Sequence, residues 1–392
     1  MNFEYIDFNN GALLDTPGLF AVPPEQTQRG EDFWHPTVLD VGAKVLSNGD
    51  VDFGVYAPDA KTVTMVGLPE ANAPCQRHED GTWHYLLKWD AAFCGPKSFS
   101  FSIDGMTIVS PHCPVFYTRN HLINYVEIPD PNADFIYMRD VPHGSLVNDY
   151  YFSKTLNKYQ RVISYLPPGY EKGGTYPVLY LQHGGWENET SWPYNGKVPH
   201  IMDNLIADGL AEPFIVVMGN GMIHFPDADR RKSHELFSEN MTESLIPFID
   251  GRYRTKADKW HRAIGGFSFG SEQSCFTGLN HPELFSHIGL LSGFMRMIGS
   301  EFEHDTTFET NFHLKPLLNR EQFEADYKLF YRAIGTSDFK YEAAFVPDNK
   351  ICAENGFDKY KNYRHLEIEG YQHDWAALRI LFHDFAQYLF KD

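Results

Sequence analysis

Residues 261–274 read HRAIGGFSFGSEQS, and at their centre stands Gly266-Phe267-Ser268-Phe269-Gly270. The apolar run Ala263–Gly266 predicts a short strand, and Phe269–Leu279 predicts a helix. A serine on a sharp turn between the two is the context of a nucleophile elbow. Small residues two before and two after it let strand and helix approach without side-chain collision. The helix N-terminus then offers a backbone N–H and a positive dipole end to a developing negative charge. The competing reading is a glycine-rich turn with an incidental serine, and the strand-to-helix context decides against it.

Outward from this stretch, short apolar runs alternate with helical patterns. The runs are Arg161–Leu166, Pro177–Leu181, Phe214–Met218, His287–Leu291, Phe330–Ile334 and His365–Ile368. Helices are predicted over Val198–Asp208, Glu235–Ile249 and Asp338–Glu354. A last helix over Asp374–Phe390 sets Leu378, Leu381, Phe382, Phe385 and Leu389 on one stripe. Such alternation predicts a mostly parallel sheet flanked by helices, with its chemistry at the C-terminal strand ends. Before about residue 145 the style differs. Val51, Phe53 and Val55, Val63 and Met65, and Phe99, Phe101 and Ile103 each alternate with other residues, and Asp104-Gly105 supplies a hairpin turn. The expected organisation is therefore a small all-β sandwich with a linker over 1–145, the stretch Ile128–Phe135 reading as linker, and an α/β domain over 146–392.

A second motif, His183-Gly184-Gly185-Trp186, directly follows the predicted strand Val178–Leu181. A turn at this point of an α/β-hydrolase sheet gives a second oxyanion N–H, from Gly185 or Trp186, beside that of Phe269. A serine hydroxyl needs an imidazole to take its proton. In this fold the chain order is serine, acid, histidine. Of His365, His373 and His383, only His373 lies in a loop after a strand and before the last helix, so it is the expected base. The other two read as structural. Asp338, after Phe330–Ile334, is the expected acid, with Asp348 as the fallback; an N-cap role competes at Asp338. Trp186, Trp192 and Trp375 flank these residues and are candidates to wall a pocket for a sugar or aryl ring, against a plain core role. His224, Asp227 and Asp229 fit no known metal spacing and read as a solvated loop. No metal and no cofactor are expected.

Composition narrows the partners. With 33 basic and 52 acidic residues the formal charge is −19, which argues against nucleic acid and against an anionic membrane surface. Aromatic residues reach 15%. Cysteines 75, 94, 113, 275 and 352 never form C-x-x-C, which argues against a disulfide framework or a cysteine zinc site. Asp7, Asp15 and Pro17 interrupt the start, so no signal peptide is read there, and the expected location is cytoplasmic unless a leader has been trimmed.

The chain from Arg161 onward resembles the esterase D-like hydrolases, a group with family-one carbohydrate esterases (acetylxylan and feruloyl esterases), enterochelin esterases and S-formylglutathione hydrolases. The stretches that carry it include YPVLYLQHGGWENETSW, FIVVMGNG, HRAIGGFSFGSEQS, IGTSDF and GYQHDWAALR. The resemblance implies Ser268 as nucleophile, Asp338 as acid and His373 as base. VYAPDAKTVTMVG and SFSIDGMTIVSP look like the immunoglobulin-like module attached to many such esterases. One departure is Ser271-Glu272, where relatives often carry further small residues.

The expected function is thus a serine carboxylic ester hydrolase that removes acetyl or feruloyl groups from xylan fragments. A siderophore esterase of the enterochelin type, another intracellular esterase, and an inert carbohydrate-binding protein are the alternatives. The expected partner is a small-molecule or oligosaccharide ester, with homo-oligomerisation left open.

Overall fold

The computed structural model describes residues 40–391 apart from 69–71, 91–93, 119–120, 224–229 and 297–311. The beginning of the chain, and His224, Asp227 and Asp229, lie outside the described residues. The chain divides into two compact units, Met1–Asp134 and Phe135–Asp392.

The first unit is built of short strands: β1 (Gly42–Val45), β2 (Val51–Tyr56), β3 (Val63–Val66), β4 (Ala73–Pro74), β5 (Gln76–Arg77), β6 (Thr82–Leu87), β7 (Gly95–Ile103), β8 (Met106–Ile108), β9 (Val115–Thr118) and β10 (His121–Ile128). They form two antiparallel sheets, one ordered β1-β2-β6-β5 and the other β4-β3-β7-β10-β9, with β8 on β7. Because side chains alternate along a strand, β2 turns Val51, Phe53 and Val55 to one side and β7 turns Phe99 and Phe101 to meet them. The rings of Phe53 and Phe99 lie edge to face, 4.7 Å apart, so the two sheets share one core as a sandwich does. At the β7–β8 hairpin Asp104 and Gly105 both have positive φ, 47° and 87°, the backbone that a two-residue turn needs to match strand twist.

The second unit is an α/β-hydrolase fold. Its strands are β11 (Ser145–Ser153), β12 (Lys158–Leu166), β13 (Val178–Gln182), β14 (Ile215–Gly219), β15 (Arg262–Phe267), β16 (His287–Leu291), β17 (Leu329–Gly335) and β18 (Tyr363–Ile368). They lie in the order β11-β12-β14-β13-β15-β16-β17-β18. The sheet is parallel from β14 to β18, with β11 and β12 antiparallel at one edge. Helices α1 (Val198–Ala207), α2 (Arg230–Asn240), α3 (Ile246–Arg252), α4 (Phe269–Asn280), α5 (Arg320–Asp326), α6 (Val346–Glu354) and α7 (Trp375–Ala386) connect and flank them. All six residues of β15 are buried, as a continuous apolar run covered on both faces requires. On one face α7 presses Leu378, Leu381, Phe382 and Phe385 against the sheet, and Leu389 follows just past its end; all five are fully buried. Gly289 admits the Phe385 ring, since a Cβ there would lie 2.3 Å from it.

Three details differ from the sequence reading. The helix expected from Asp338 begins only at Val346, after a wide turn over Tyr341–Phe345. Asp338 spends its Oδ1 on the N–H of Lys340, 2.8 Å, and so holds a turn open, while Pro347 suits a first helical turn. The last helix stops at Ala386, and Phe390 has φ 61°. Strand β11 was not expected, because Asn148 and Asp149 break its apolar pattern. Residues 135–144 are built into the second unit: Asn204 Nδ2 donates to the carbonyls of Phe135 and Tyr137, 2.8 and 2.9 Å, and Gly144 N–H to Asp203, 2.9 Å.

Candidate active site

Register brings the ends of several parallel strands level. Gln182 of β13 lies beside Gly266 of β15, and Phe267 beside Leu291 of β16. The loops that leave these ends, and those of β17 and β18, carry the expected chemistry.

Ser268 leaves β15 with φ 52° and ψ −115°, a conformation that costs a non-glycine residue about 1–3 kcal/mol. The neighbourhood enforces it. A Cβ on Gly266 would lie 2.4 Å from the carbonyl oxygen of Gly270, and one on Gly270 would lie 2.4 Å from that of His183. Ser268 N–H donates to Leu291 O at 3.1 Å, and the N–H of Ser271 returns to Ser268 O at 3.0 Å. Ser271, the departure noted in the sequence, ties the turn further. Its hydroxyl donates to Ser268 O and accepts from the N–H of Phe294, 3.0 Å.

The loop after β13 folds onto this elbow. His183 is buried, donates from Nδ1 to Gly184 O at 2.8 Å and accepts at Nε2 from Gly221 N–H at 2.9 Å. Burial lowers its pKa, and the accepting nitrogen fixes it as a neutral imidazole that shapes the turn. Gly184 packs under the Phe267 ring, and the Cβ position of Gly185 lies 3.7 Å from Phe269 Cβ. Trp186 has φ 65° and an exposed indole.

The loops after β17 and β18 are locked together. Thr336 N–H donates to Ile368 O at 2.9 Å, Ser337 N–H to Tyr371 O at 3.0 Å, and Gly370 N–H to the Thr336 hydroxyl at 2.9 Å. His373 Nδ1 thereby meets Asp338 Oδ2 at 2.6 Å, a short hydrogen bond. Asp338 is buried, and the imidazole rests between the rings of Phe267 and Phe339, 4.8 and 4.7 Å away. Phe267 is the residue before Ser268, so acid, imidazole and elbow meet at one end of the sheet.

The remaining candidates lie elsewhere. His383 stacks on Phe135 at 3.9 Å, and His365 is exposed on β18. Asp348 is buried against Arg296 Nε at 2.5 Å, Arg332 and the N–H of Met295, so its carboxylate is committed to an ion-pair network. Of the three tryptophans, Trp186 alone presents its ring. Trp192 is 1% and Trp375 7% exposed, packed edge to face at 5.1 Å. Both indoles are anchored, Trp192 Nε1 to Gln182 O at 2.8 Å and Trp375 Nε1 to Glu187 at 3.1 Å.

Glu187 escaped the sequence reading. It is buried, and its two oxygens accept from Gly184 N–H, 3.2 Å, and from Trp375 Nε1. It thus joins the loop after β13 to the start of α7, two residues past His373. Burial pushes its pKa up to about 8 against the opposing pull of those two donors. A second buried pair, His234 Nε2 and Glu272 Oε2 at 3.2 Å, lies behind the elbow helix, with His234 edge-on to Phe269 at 5.1 Å. A lone glutamate in a loop gives no periodic signal, which is why Glu187 could not be singled out.

Known proteins resemble this chain in family and in fold. The family model described as "Putative esterase" matches residues 153–380. An endo-1,4-beta-xylanase/feruloyl esterase of Xylanibacter ruminicola is 37% identical over 285 residues, which cover 69% of this chain and 38% of that protein. The chain therefore spans well under half the length of that relative. A feruloyl esterase module from Clostridium thermocellum, solved with sinapinate, superposes with a TM-score of 0.54 at 24% identity, over 67% of this chain and 93% of the module. The enterobactin esterase of Shigella flexneri, solved in the presence of enterobactin, superposes with a TM-score of 0.60 at 14% identity, over 87% of this chain and 92% of its own.

Proposed function

The chain belongs to the Esterase family; from that premise we propose that it is a carboxylic ester hydrolase, a serine esterase whose nucleophile is Ser268, with His373 as base and Asp338 as its orienting acid. The observation that carries this reading is the 2.6 Å bond between His373 Nδ1 and Asp338, against the residue that precedes a strained serine. With Nδ1–H held by the carboxylate, Nε2 is left as the basic nitrogen. It takes the proton of Ser268 as Oγ attacks the ester carbonyl, and returns it to the departing alcohol. Water, deprotonated by the same nitrogen, then attacks the acyl-serine, and the imidazolium returns that proton to Oγ as the acid leaves. The backbone N–H of Phe269, at the positive end of the α4 dipole, and that of Gly185 or Trp186 stabilise the oxyanion.

For the substrate we favour acetyl or hydroxycinnamoyl esters on xylo-oligosaccharides. The Xylanibacter relative, with its xylanase and feruloyl esterase name, and the exposed Trp186 support it. A neutral glycan also avoids repulsion by a chain of charge −19. The second reading, a siderophore triester, is supported by the likeness to enterobactin esterase over 87% of the chain. The test is release of acetate or ferulate from acylated xylo-oligosaccharides, set beside hydrolysis of a triscatecholate siderophore and of a long-chain p-nitrophenyl ester. Preference for the siderophore or the lipid-like ester would overturn the carbohydrate assignment and leave the serine mechanism standing.

A further inference from the structure

Strand β12 runs antiparallel to β14, and Val162 stands opposite Gly219, the last residue of β14. Lys158–Arg161 and the paired end of β11 therefore project past the sheet by ~13 Å, at 3.3 Å per residue, on the end from which the His183 and Ser268 loops emerge. Side chains alternate, so Tyr150 and Phe152 of β11 share a face with their partners Arg161 and Tyr159 of β12. Lower on that face Ile163 and Tyr165 are buried, and Tyr165 donates to Asp203 of α1. Nearer the tip nothing covers it among the described residues: Tyr150 is 64%, Phe152 47% and Tyr159 72% exposed. The rings of Phe152 and Tyr159 meet edge to face, 5.4 Å apart at 75°.

Three bare aromatic rings on an edge hairpin are a liability for aggregation, and such exposed patches mark binding surfaces. The hairpin is tied to a loop of the candidate active site. Arg161, on the same face, donates to Glu189 at 2.6 Å, in the loop that carries Gly185 and Trp186. That pairing also consumes the charge, which leaves a neutral shelf of rings and phenolic hydroxyls. Such a surface suits a neutral partner with apolar C–H faces and many hydroxyls, which is a sugar chain. We propose that Tyr150, Phe152 and Tyr159 form a subsite that holds the carbohydrate part of the ester substrate while its acyl group lies at Ser268. This rests on the carbohydrate-ester reading above and adds where the glycan is held.

The test compares the wild type with the triple variant Tyr150→Ala, Phe152→Ala, Tyr159→Ala on methyl ferulate and on a feruloylated xylo-oligosaccharide, with calorimetric titration of unesterified xylohexaose. The expected result is an unchanged kcat and KM on methyl ferulate, a KM on the oligosaccharide ester raised by ~10-fold or more, and loss of xylohexaose binding. A variant that handles both esters as the wild type does, or loses both equally, overturns the subsite. A wild type that binds xylohexaose through these rings yet hydrolyses neither ester would sink the ester reading and keep the subsite. Light scattering completes the set: a wild-type dimer that the variant dissolves assigns the face to a second copy and overturns the proposal.

Discussion

Asp338 and Asp348 lie ten residues apart in sequence and in unlike surroundings. Asp338 faces an imidazole at 2.6 Å, whereas Asp348 neutralises Arg296 and Arg332 in the core. Asp338→Asn should therefore lower kcat by about 10²–10⁴ with the melting temperature nearly kept, measured by p-nitrophenyl acetate hydrolysis and calorimetry. Asp348→Asn should chiefly unfold the protein, since breaking a buried pair costs ~3–5 kcal/mol; the opposite pattern would move the acid role. Glu187 makes a second, pH-dependent case. Its carboxyl titrates near 8 in the fold against an ordinary value of 4.5, so the folded state favours its proton. That contribution is fully present below about 4.5 and is lost as pH rises through 8. The melting temperature of the wild type, relative to Glu187→Gln, should accordingly fall between those limits; a gap that widens with pH would show that Glu187 is ionised in the fold.

Elements explain what was legible in the sequence and what was not. The strands from β13 to β17 were readable from short, largely apolar runs, and α7 from its regular apolar stripe. The departures came where side chains overrode propensity: Asp338 holding its own turn, and the half-polar edge strand β11. The elbow was visible as a pattern of two glycines around a serine, and its glycines are demanded by backbone contact. Gly270→Ala would set a Cβ 2.4 Å from His183 O, and neither atom belongs to a flexible side chain. This substitution should cost ~1–3 kcal/mol of stability and most of the turnover, since relief requires the loop after β13 to move off Phe269. Circular dichroism melts and ester turnover check both, and a fully active, equally stable Gly270→Ala protein would contradict the close packing. The loop-to-loop bonds of Thr336, Ser337 and Gly370 were invisible beforehand, because they join residues more than thirty positions apart.

Across the whole molecule, the two units have separate cores. The loops that carry Ser268, Asp338, His373, Gly185 and Phe269 all lie within Phe135–Asp392. Residues 135–392 alone should therefore fold cooperatively and turn over a small ester such as methyl ferulate; a fragment that folds but is inert would assign the first unit a direct part in the reaction. Among the described residues no helix is long and apolar enough to cross a membrane. Residues 135–144 lack periodicity and are placed by bonds to α1, so a boundary within them leaves no periodic signal in the sequence. The central claim is that one serine carries the reaction, and the most direct measurement is steady-state hydrolysis of p-nitrophenyl acetate by Ser268→Ala beside the wild type. The account predicts a fall in kcat of ~10³ or more with the fold intact, whereas turnover near the wild-type rate in the folded variant would contradict it.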